Sequence, residues 1–307
     1  MNPAWSVVLF TTLAGAAQGL VVTLALAELA ALPMSTPFLS DALAVAVMLL
    51  VAALVASAFH LGRPARAWRA VLMWRTSWLS REVIVLPAFI GICALWWLAL
   101  HQAWDLPWLP VAALVFAAAL WLCTAMIYAC IRFIQEWAQP LTLVNFTLIG
   151  LSSGMVLACA LAALAQQSAL LLATAPLALA LTIAALATRL AALRRNARLG
   201  PKSSLQSATG IHAPQLRQMA MGMSAGAFNT REFFHRRTPA LLRQVKNAFL
   251  LLGFVLPALL LIGGLSSEAL WPWLLAPALQ APGLIAERWY FLAQANHPQN
   301  LYYQAVA

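Results

Sequence analysis

The chain has 307 residues, of which 64% are hydrophobic and 8% are charged, and its formal net charge is +10. A soluble domain has about 45–50% apolar and about 25% charged residues, so this composition excludes one. Its apolar runs are continuous, whereas the strands of a membrane β-barrel alternate apolar and polar residues. The sequence therefore predicts an all-α, polytopic membrane helical bundle that forms a single integral membrane domain over residues 1–307.

A span needs about 20 predominantly apolar residues, and eight runs meet that length. In chain order they are 6–32, 41–61, 83–103, 108–133, 141–165, 169–192, 247–266 and 269–294. We interpret the first run as a retained span, because no basic region precedes it as in a signal peptide. Three prolines and Glu287 predict that the last run is broken or tilted. The long segment 193–246 is predicted to be a cytoplasmic loop.

The basic residues divide the connections between these runs into two classes. All of the 18 lysines and arginines except Arg288 fall in connections 2–3, 4–5 and 6–7, with Arg189 assigned to the last of these. Positive residues mark cytoplasmic loops. We therefore expect these connections, and both termini, on the cytoplasmic side of a bacterial inner membrane. The net charge then reflects topology and not nucleic-acid binding.

The stretch FHLGRPARAWRAVLMWRTSWLSREV places a histidine, arginines and a carboxylate at the edge of two neighbouring spans. His60 ends the second run, and Arg81 and Glu82 open the third, with Ser80 as the expected N-cap. Taken singly, His60 is an interfacial residue and Glu82 a carboxylate favoured by the helix dipole. Taken together, they predict a shared pocket in which His60 exchanges protons near neutral pH and Glu82 passes a second proton.

Other polar and reactive side chains have simpler interpretations. Gln18 lies between two glycines and is expected to bond to another helix more than to a ligand. The four cysteines contain no C-x-x-C pair, so we expect buried small hydrophobic residues and not cluster ligands. The five histidines include no opposed intramembrane pair. We therefore expect neither haem nor metal in this chain.

The cluster TREFFHRR in the long connection combines cations with aromatic side chains. This composition is typical of a docking surface, and the alternative is a solvated loop held at anionic headgroups. Docking is the favoured interpretation. The residues predicted to contact a partner are Arg63, Arg75, Arg231, His235 and Arg236.

The stretches ASAFHLGRPARAW and SWLSREV resemble the membrane anchor subunit family of dimethyl sulfoxide reductase, as does the eight-span layout. That family carries a histidine–leucine–glycine–x–proline–x–arginine–alanine motif, then a carboxylate near the start of the next helix. By this motif, His60 and Glu82 match the quinone-site histidine and carboxylate, and Arg66 matches the motif arginine. Arg63 stands where the reductase form can have a small residue.

Three further stretches, MWRTSWLSREVIVLP, FNTREFFH and ERWYFLAQANHPQNLYYQ, look more like the branch that anchors cytoplasmic sulfite dehydrogenases. The resemblance implies a haem-free anchor that reacts with ubiquinone or menaquinone. It also implies two partners on the cytoplasmic side, an iron–sulfur subunit and a molybdopterin catalytic subunit.

We therefore expect this chain to pass electrons from the iron–sulfur partner to membrane quinone during sulfite oxidation, without acting on sulfite itself. The expected pocket is formed by His60, Arg66, Arg81 and Glu82, with Gln18 as a further candidate. Two alternatives stay open. One is a quinol-oxidising anchor of a dimethyl sulfoxide, polysulfide or related reductase. The other is a transporter, which would need polar residues near the bilayer midplane together with broken helices.

Overall fold

The computed structural model describes residues 1–59, 62–220 and 228–303, and every regular element in these ranges is helical. This confirms the predicted all-α bundle. Shorter pieces are the 3-10 helices Pro64–Met73 and Pro298–Tyr302 and the helices Leu205–Thr209 and Asn229–Glu232. The long helices are α1 Trp5–Leu29, α2 Thr36–Ala58, α3 Trp78–His101, α4 Leu109–Ala129, α5 Pro140–Leu164, α6 Ser168–Asn196, α7 Pro239–Leu265 and α8 Trp271–Ala293.

Helices α1 to α7 are each long and apolar enough to cross a membrane. Helix α8 has 23 residues, which is also enough to span about 30 Å of hydrocarbon. The expected break in this last span is absent, because α8 continues through Pro277 and Pro282. It packs against α1, α5 and α7, and such neighbours stabilise a proline-containing membrane helix. The irregularity lies instead in α7, where Leu251–Val255 form a π-helical turn.

Several helices begin earlier than their apolar runs, because each starts with a polar cap. The side chains of Ser35, Ser77 and Thr238 accept hydrogen bonds from backbone N–H groups in the first turns of α2, α3 and α7. An N-cap side chain satisfies one of the unpaired donors of a helix start. Ser77, and not Ser80, therefore caps α3, and the prediction of Ser80 was wrong.

The helices form two groups of four that meet along α1 and α5. In the first group α1 packs against α2, α2 against α3, α3 against α4, and α4 against α1. In the second, α5 packs against α6 and α8, and α7 packs against α6 and α8. Where α1 crosses α5, a Cβ atom on Gly154 would lie 2.1 Å from the carbonyl carbon of Gly19. Only glycine permits this approach of the two backbones.

The start of α1 and the end of α8 lie at the same end of the bundle. The Met1 nitrogen donates hydrogen bonds to the carbonyl oxygens of Ala293, at 3.1 Å, and Ala295, at 2.8 Å. The backbone N–H of Asn2 donates to the carbonyl of Glu232 at 2.8 Å. The start of α1, the end of α8 and the α6–α7 connection therefore lie together. We call this end of the bundle the basic end, since the arginine-rich connections lie there.

Candidate quinone site and docking surface

Glu82 is buried inside the first helix group. It lies in the second turn of α3, its exposed fraction is 6%, and the Thr124 hydroxyl of α4 donates a hydrogen bond to its Oε1. Because Ser77 caps the helix, Glu82 is not needed as a cap. Among the described residues, no cation forms an ion pair with this carboxyl group. Glu82 is thus a buried acid whose hydrogen-bond partner is a neutral hydroxyl.

Arg81, next to Glu82, points away from that carboxyl group. Its Nε donates to the carbonyl of Trp74 at 2.9 Å, and its Nη2 donates to the carbonyl of Arg75 at 2.9 Å. The guanidinium carbon lies 4.2 Å from the ring centroid of Trp78. Arg81 therefore stabilises the turn that enters α3.

The other predicted members of the pocket are placed differently. Arg66 is exposed on the 3-10 helix Pro64–Met73, whereas Glu82 is buried. His60 lies outside the described residues. In the structure, therefore, Glu82 contacts Thr124, whereas Arg66 lies at the surface.

Gln18 is buried, with 2% of its surface exposed, and its Nε2 donates to the carbonyl of Ala117 in α4 at 3.0 Å. This is the helix-to-helix hydrogen bond that the sequence favoured. It ties α1 to the helix that also carries Thr124. Gln18 therefore supports the surroundings of Glu82 through helix packing.

A buried charge cluster inside the second helix group was missed by the sequence interpretation. The prediction that Arg189 lies in the connection between the sixth and seventh runs is wrong, because Arg189 lies in α6 with 2% exposure. Its Nε is 2.7 Å from Oε1 of Glu287, and Nη1 of Arg288 is 3.5 Å from Oε2 of the same carboxylate. The Arg288 guanidinium also lies 3.9 Å from the ring centroid of Phe146. A membrane protein rarely buries three charged groups together without a specific role.

A group of hydrogen-bonded neutral polar side chains lies about two helix turns further into the bundle than this cluster. The hydroxyls of Ser152 and Thr182 are hydrogen-bonded at 2.8 Å, and Gln280 Nε2 donates to Ser152 at 3.2 Å. Gln280 also contacts the carbonyl of Gly253, in the π-helical turn, at 3.4 Å. Thr182 precedes Arg189 by seven residues and Gln280 precedes Glu287 by seven. This heptad spacing, which keeps two side chains on one helix face, is the sequence signal that could have revealed the cluster.

The sequence predicts that all four cysteines are buried, and the structure agrees for three of them. Cys93, Cys123 and Cys159 are buried, whereas Cys130 is exposed. Cys130 lies just after α4, at the basic end, where the apolar run had been extended too far. In the parts of the chain that the structure covers, no group of three or more histidine, cysteine or acidic side chains is close enough to hold a metal ion.

The predicted docking residues lie on two connections at the basic end. Arg63 and Arg75 are exposed in the α2–α3 connection, and Arg231 and Arg236 are exposed before α7. His235 is partly buried, and its Nδ1 accepts a hydrogen bond from the backbone N–H of Arg237 at 3.0 Å. Burial lowers the pKa of His235 below its ordinary value, which favours the neutral ring that this hydrogen bond needs.

The segment before α7 is held by the chain that follows α8. The rings of Phe233 and His297 stack with centroids 3.8 Å apart, and Asn300 Nδ2 donates to the carbonyl of Phe233 at 3.2 Å. Asn229 also donates to the hydroxyl of Tyr303. We call residues 228–238 and 294–303 together the inner cap. It presents the exposed arginines on a surface that is fixed to the bundle.

The chain matches, over residues 1–266, the family described as DMSO reductase anchor subunit (DmsC). It belongs to that family. It is also 45% identical over 327 aligned positions to a subunit of the sulfite dehydrogenase of Allochromatium vinosum, with 100% of both chains covered. These matches confirm the resemblance seen in the motif and in the three further stretches. The protein is accordingly a membrane anchor subunit of the DMSO reductase type.

Proposed function

We propose that this anchor transfers electrons from an iron–sulfur partner to membrane quinone during cytoplasmic sulfite oxidation. In the complete reaction, sulfite, water and quinone give sulfate and quinol, so two electrons and two protons reach the quinone. The partners would hold the molybdopterin and the iron–sulfur clusters, and this chain would bind quinone and move protons. The full-length identity of 45% to a subunit of a sulfite dehydrogenase carries this proposal.

The two buried carboxylates of the described chain suit different roles. Glu287 lies between two arginines, and removing its charge would leave those cations unpaired. Glu82 is hydrogen-bonded to Thr124, so it can gain or lose a proton without breaking an ion pair. We assign proton transfer to Glu82 and a hydrogen bond to the quinone headgroup to His60.

The remaining predicted residues support this pocket from its edges. Arg81 holds the turn between the 3-10 helix Pro64–Met73 and the helix that carries Glu82. Gln18 fixes α1 against α4. Arg66, on the surface of the connecting 3-10 helix, is exposed to an incoming headgroup or partner. In this proposal Arg81 and Gln18 are positioning residues.

We further propose that the iron–sulfur subunit docks on the basic end. The four exposed arginines predicted for docking, with His235 beside two of them, offer a cationic surface for an acidic partner. The positive-inside rule assigns arginine-rich connections to the cytoplasm. A partner seated there would be cytoplasmic, as sulfite oxidation in the cytoplasm requires.

The test uses the purified complex with Glu82→Gln or His60→Gln. Glu268→Gln, at an exposed site in the α7–α8 connection, is the matched control. Proton transfer by a positioned side chain contributes about 10²–10⁴-fold to rates. We therefore expect quinone reduction to fall at least about tenfold in the two site variants, while sulfite oxidation with an artificial acceptor is unchanged. Quinone kinetics equal to the control in both variants would reject the assignment.

A second candidate is an anchor that oxidises quinol for a reductase, and membership of the DMSO reductase anchor family favours it. The helices and the pocket would be the same, with electrons flowing to the partner. Isolation of the native complex decides between the two. A complex that reduces dimethyl sulfoxide with quinol and leaves sulfite unchanged supports the reductase.

A further inference from the structure

A lateral cleft of about 690 Å³ opens at the basic end, away from the proposed quinone pocket. It lies between the start of α1, the first turns of α7 and the last turns of α8. The α2, α3 and α4 helices take no part in it. Its principal lining residues are Trp5, Arg237, Leu241, Val245, Ile285 and Trp289.

The cleft runs from the ends of three helices towards the middle of the bundle. Trp5 is 60% exposed at the first residue of α1, and Trp289 is partly exposed near the end of α8. Tryptophans at helix ends mark the headgroup level of a membrane. From Trp289 the wall continues to Pro282, seven residues or about 10 Å along α8. The cleft therefore combines a mouth at headgroup depth with an apolar wall at acyl-chain depth.

The mouth of the cleft is cationic. Arg237 is exposed and lines it. Residues 228–246, which include this arginine, contain one acidic residue, Glu232, against five basic residues, Arg231, Arg236, Arg237, Arg243 and Lys246. Basic pockets between helices on the cytoplasmic side of a membrane suit anionic lipid headgroups.

We propose that this cleft binds one anionic phospholipid. Its phosphate contacts Arg237, and one acyl chain lies along the face of α8 between Pro282 and Trp289. Arg237 also lines a neighbouring cavity of about 900 Å³, together with His235 and Arg236 of the inner cap. The bound lipid thus joins the bilayer to the surface proposed for docking. This site stands independently of the quinone pocket.

Native mass spectrometry of the intact complex, extracted in mild detergent and mixed with either phosphatidylglycerol or phosphatidylcholine, tests the site. We expect one retained phosphatidylglycerol and weaker retention of phosphatidylcholine. A basic residue near a membrane surface contributes enough for about a fivefold change in affinity. Arg237→Gln should therefore weaken phosphatidylglycerol binding about fivefold. Arg243→Gln, which removes the same charge from an exposed site that does not line the cleft, should leave it unchanged.

A second variant separates the cleft from general surface charge. Trp289→Ala should weaken the binding of both lipids, because it removes part of the wall without changing the charge. Equal losses in Arg237→Gln and Arg243→Gln would overturn the proposal in favour of diffuse attraction. Equal retention of the two lipids by the unmodified complex, or a quinone held in place of the phospholipid, would overturn it as well.

Discussion

Glu287 illustrates how one buried charge depends on its neighbours. It is 1% exposed and lies within 3.5 Å of guanidinium nitrogens from Arg189 and Arg288. One carboxylate thereby offsets two cations that would each be costly in the bundle. Glu82, in contrast, is buried against a hydroxyl. Two acids with similar exposure therefore have different surroundings, an ion-pair cluster for Glu287 and a neutral hydroxyl for Glu82, to which we assign proton transfer.

This difference predicts a large loss of stability when Glu287 is neutralised. Breaking a buried ion pair by removing one partner costs about 3–5 kcal/mol, because the remaining charge is left uncompensated. Glu287→Gln should therefore lower the thermal unfolding temperature of the detergent-solubilised protein markedly. Glu268→Gln, at an exposed site, should leave it unchanged. Equal unfolding temperatures for the two variants would contradict a structural role for the cluster.

At the scale of helices, the α1–α5 crossing depends on glycine. Gly15 and Gly19 of α1 face Gly150 and Gly154 of α5, and added Cβ atoms at Gly19 or Gly154 would lie 2.1 Å from backbone atoms of the other helix. Membrane helices gain little from burying apolar surface against one another, so close backbone packing carries much of their association. This crossing joins the two helix groups.

Two alanine substitutions, one at this crossing and one away from it, test how closely the helices pack. Gly154→Ala should destabilise the protein by about 1–3 kcal/mol or more, because the backbone must move to admit a methyl group. Gly91→Ala, in α3, meets nothing within 4 Å and should be neutral or stabilising, since alanine favours helix by about 1 kcal/mol over glycine. Thermal unfolding of the purified variants measures both effects. A tolerated Gly154→Ala would show that the helices are not packed as closely as described.

Helices α7 and α8 show how irregular backbone is supported by a neighbour. Gly253, in the π-helical turn, packs against Gly283, where an added Cβ would lie 2.2 Å from the Gly253 nitrogen. The carbonyl of Gly253 accepts a hydrogen bond from Gln280. Polar backbone exposed by such a turn must be satisfied within the protein, because lipid offers no hydrogen bonds. The turn therefore depends on α8.

For the whole molecule, the start of α1 and the end of α8 lie at the same end of the bundle, so the eight long helices cross it an even number of times. Hydrogen bonds from Met1 and Asn2 tie the start of α1 to the end of α8 and to the α6–α7 connection. The arginine-rich connections lie at that same end. The charge distribution predicts that this end faces the cytoplasm.

Cys130 gives a test of this orientation, since it is exposed at the basic end and the other three cysteines are buried. We expect a membrane-impermeant maleimide to label Cys130 in inverted membrane vesicles and not in intact spheroplasts. Ser267→Cys, in a Cys130→Ser background, places a thiol at an exposed site in the α7–α8 connection and should show the reverse pattern. Labelling of Cys130 from outside spheroplasts would show that the basic end faces outwards, which contradicts the proposed topology.

The sequence by itself determined the fold class, the approximate positions of the spans, the charge asymmetry between connections and the family. These follow from local properties: hydropathy over about 20 residues, the sign of charge in short loops, and a contiguous motif. Polar helix starts were missed because an apolar run begins only after the cap, as at Ser77.

The tertiary structure decided which polar residues meet. Thr124 lies 42 positions from Glu82, and Ala117 lies 99 positions from Gln18, so neither contact follows from local sequence. The same applies to Arg189 and Glu287, each of which resembles an interfacial residue when its own span is considered alone. Only the packing of α6 and α8 within the second helix group shows that these charges are buried together, because burial depends on neighbouring helices and not on the residue's own helix.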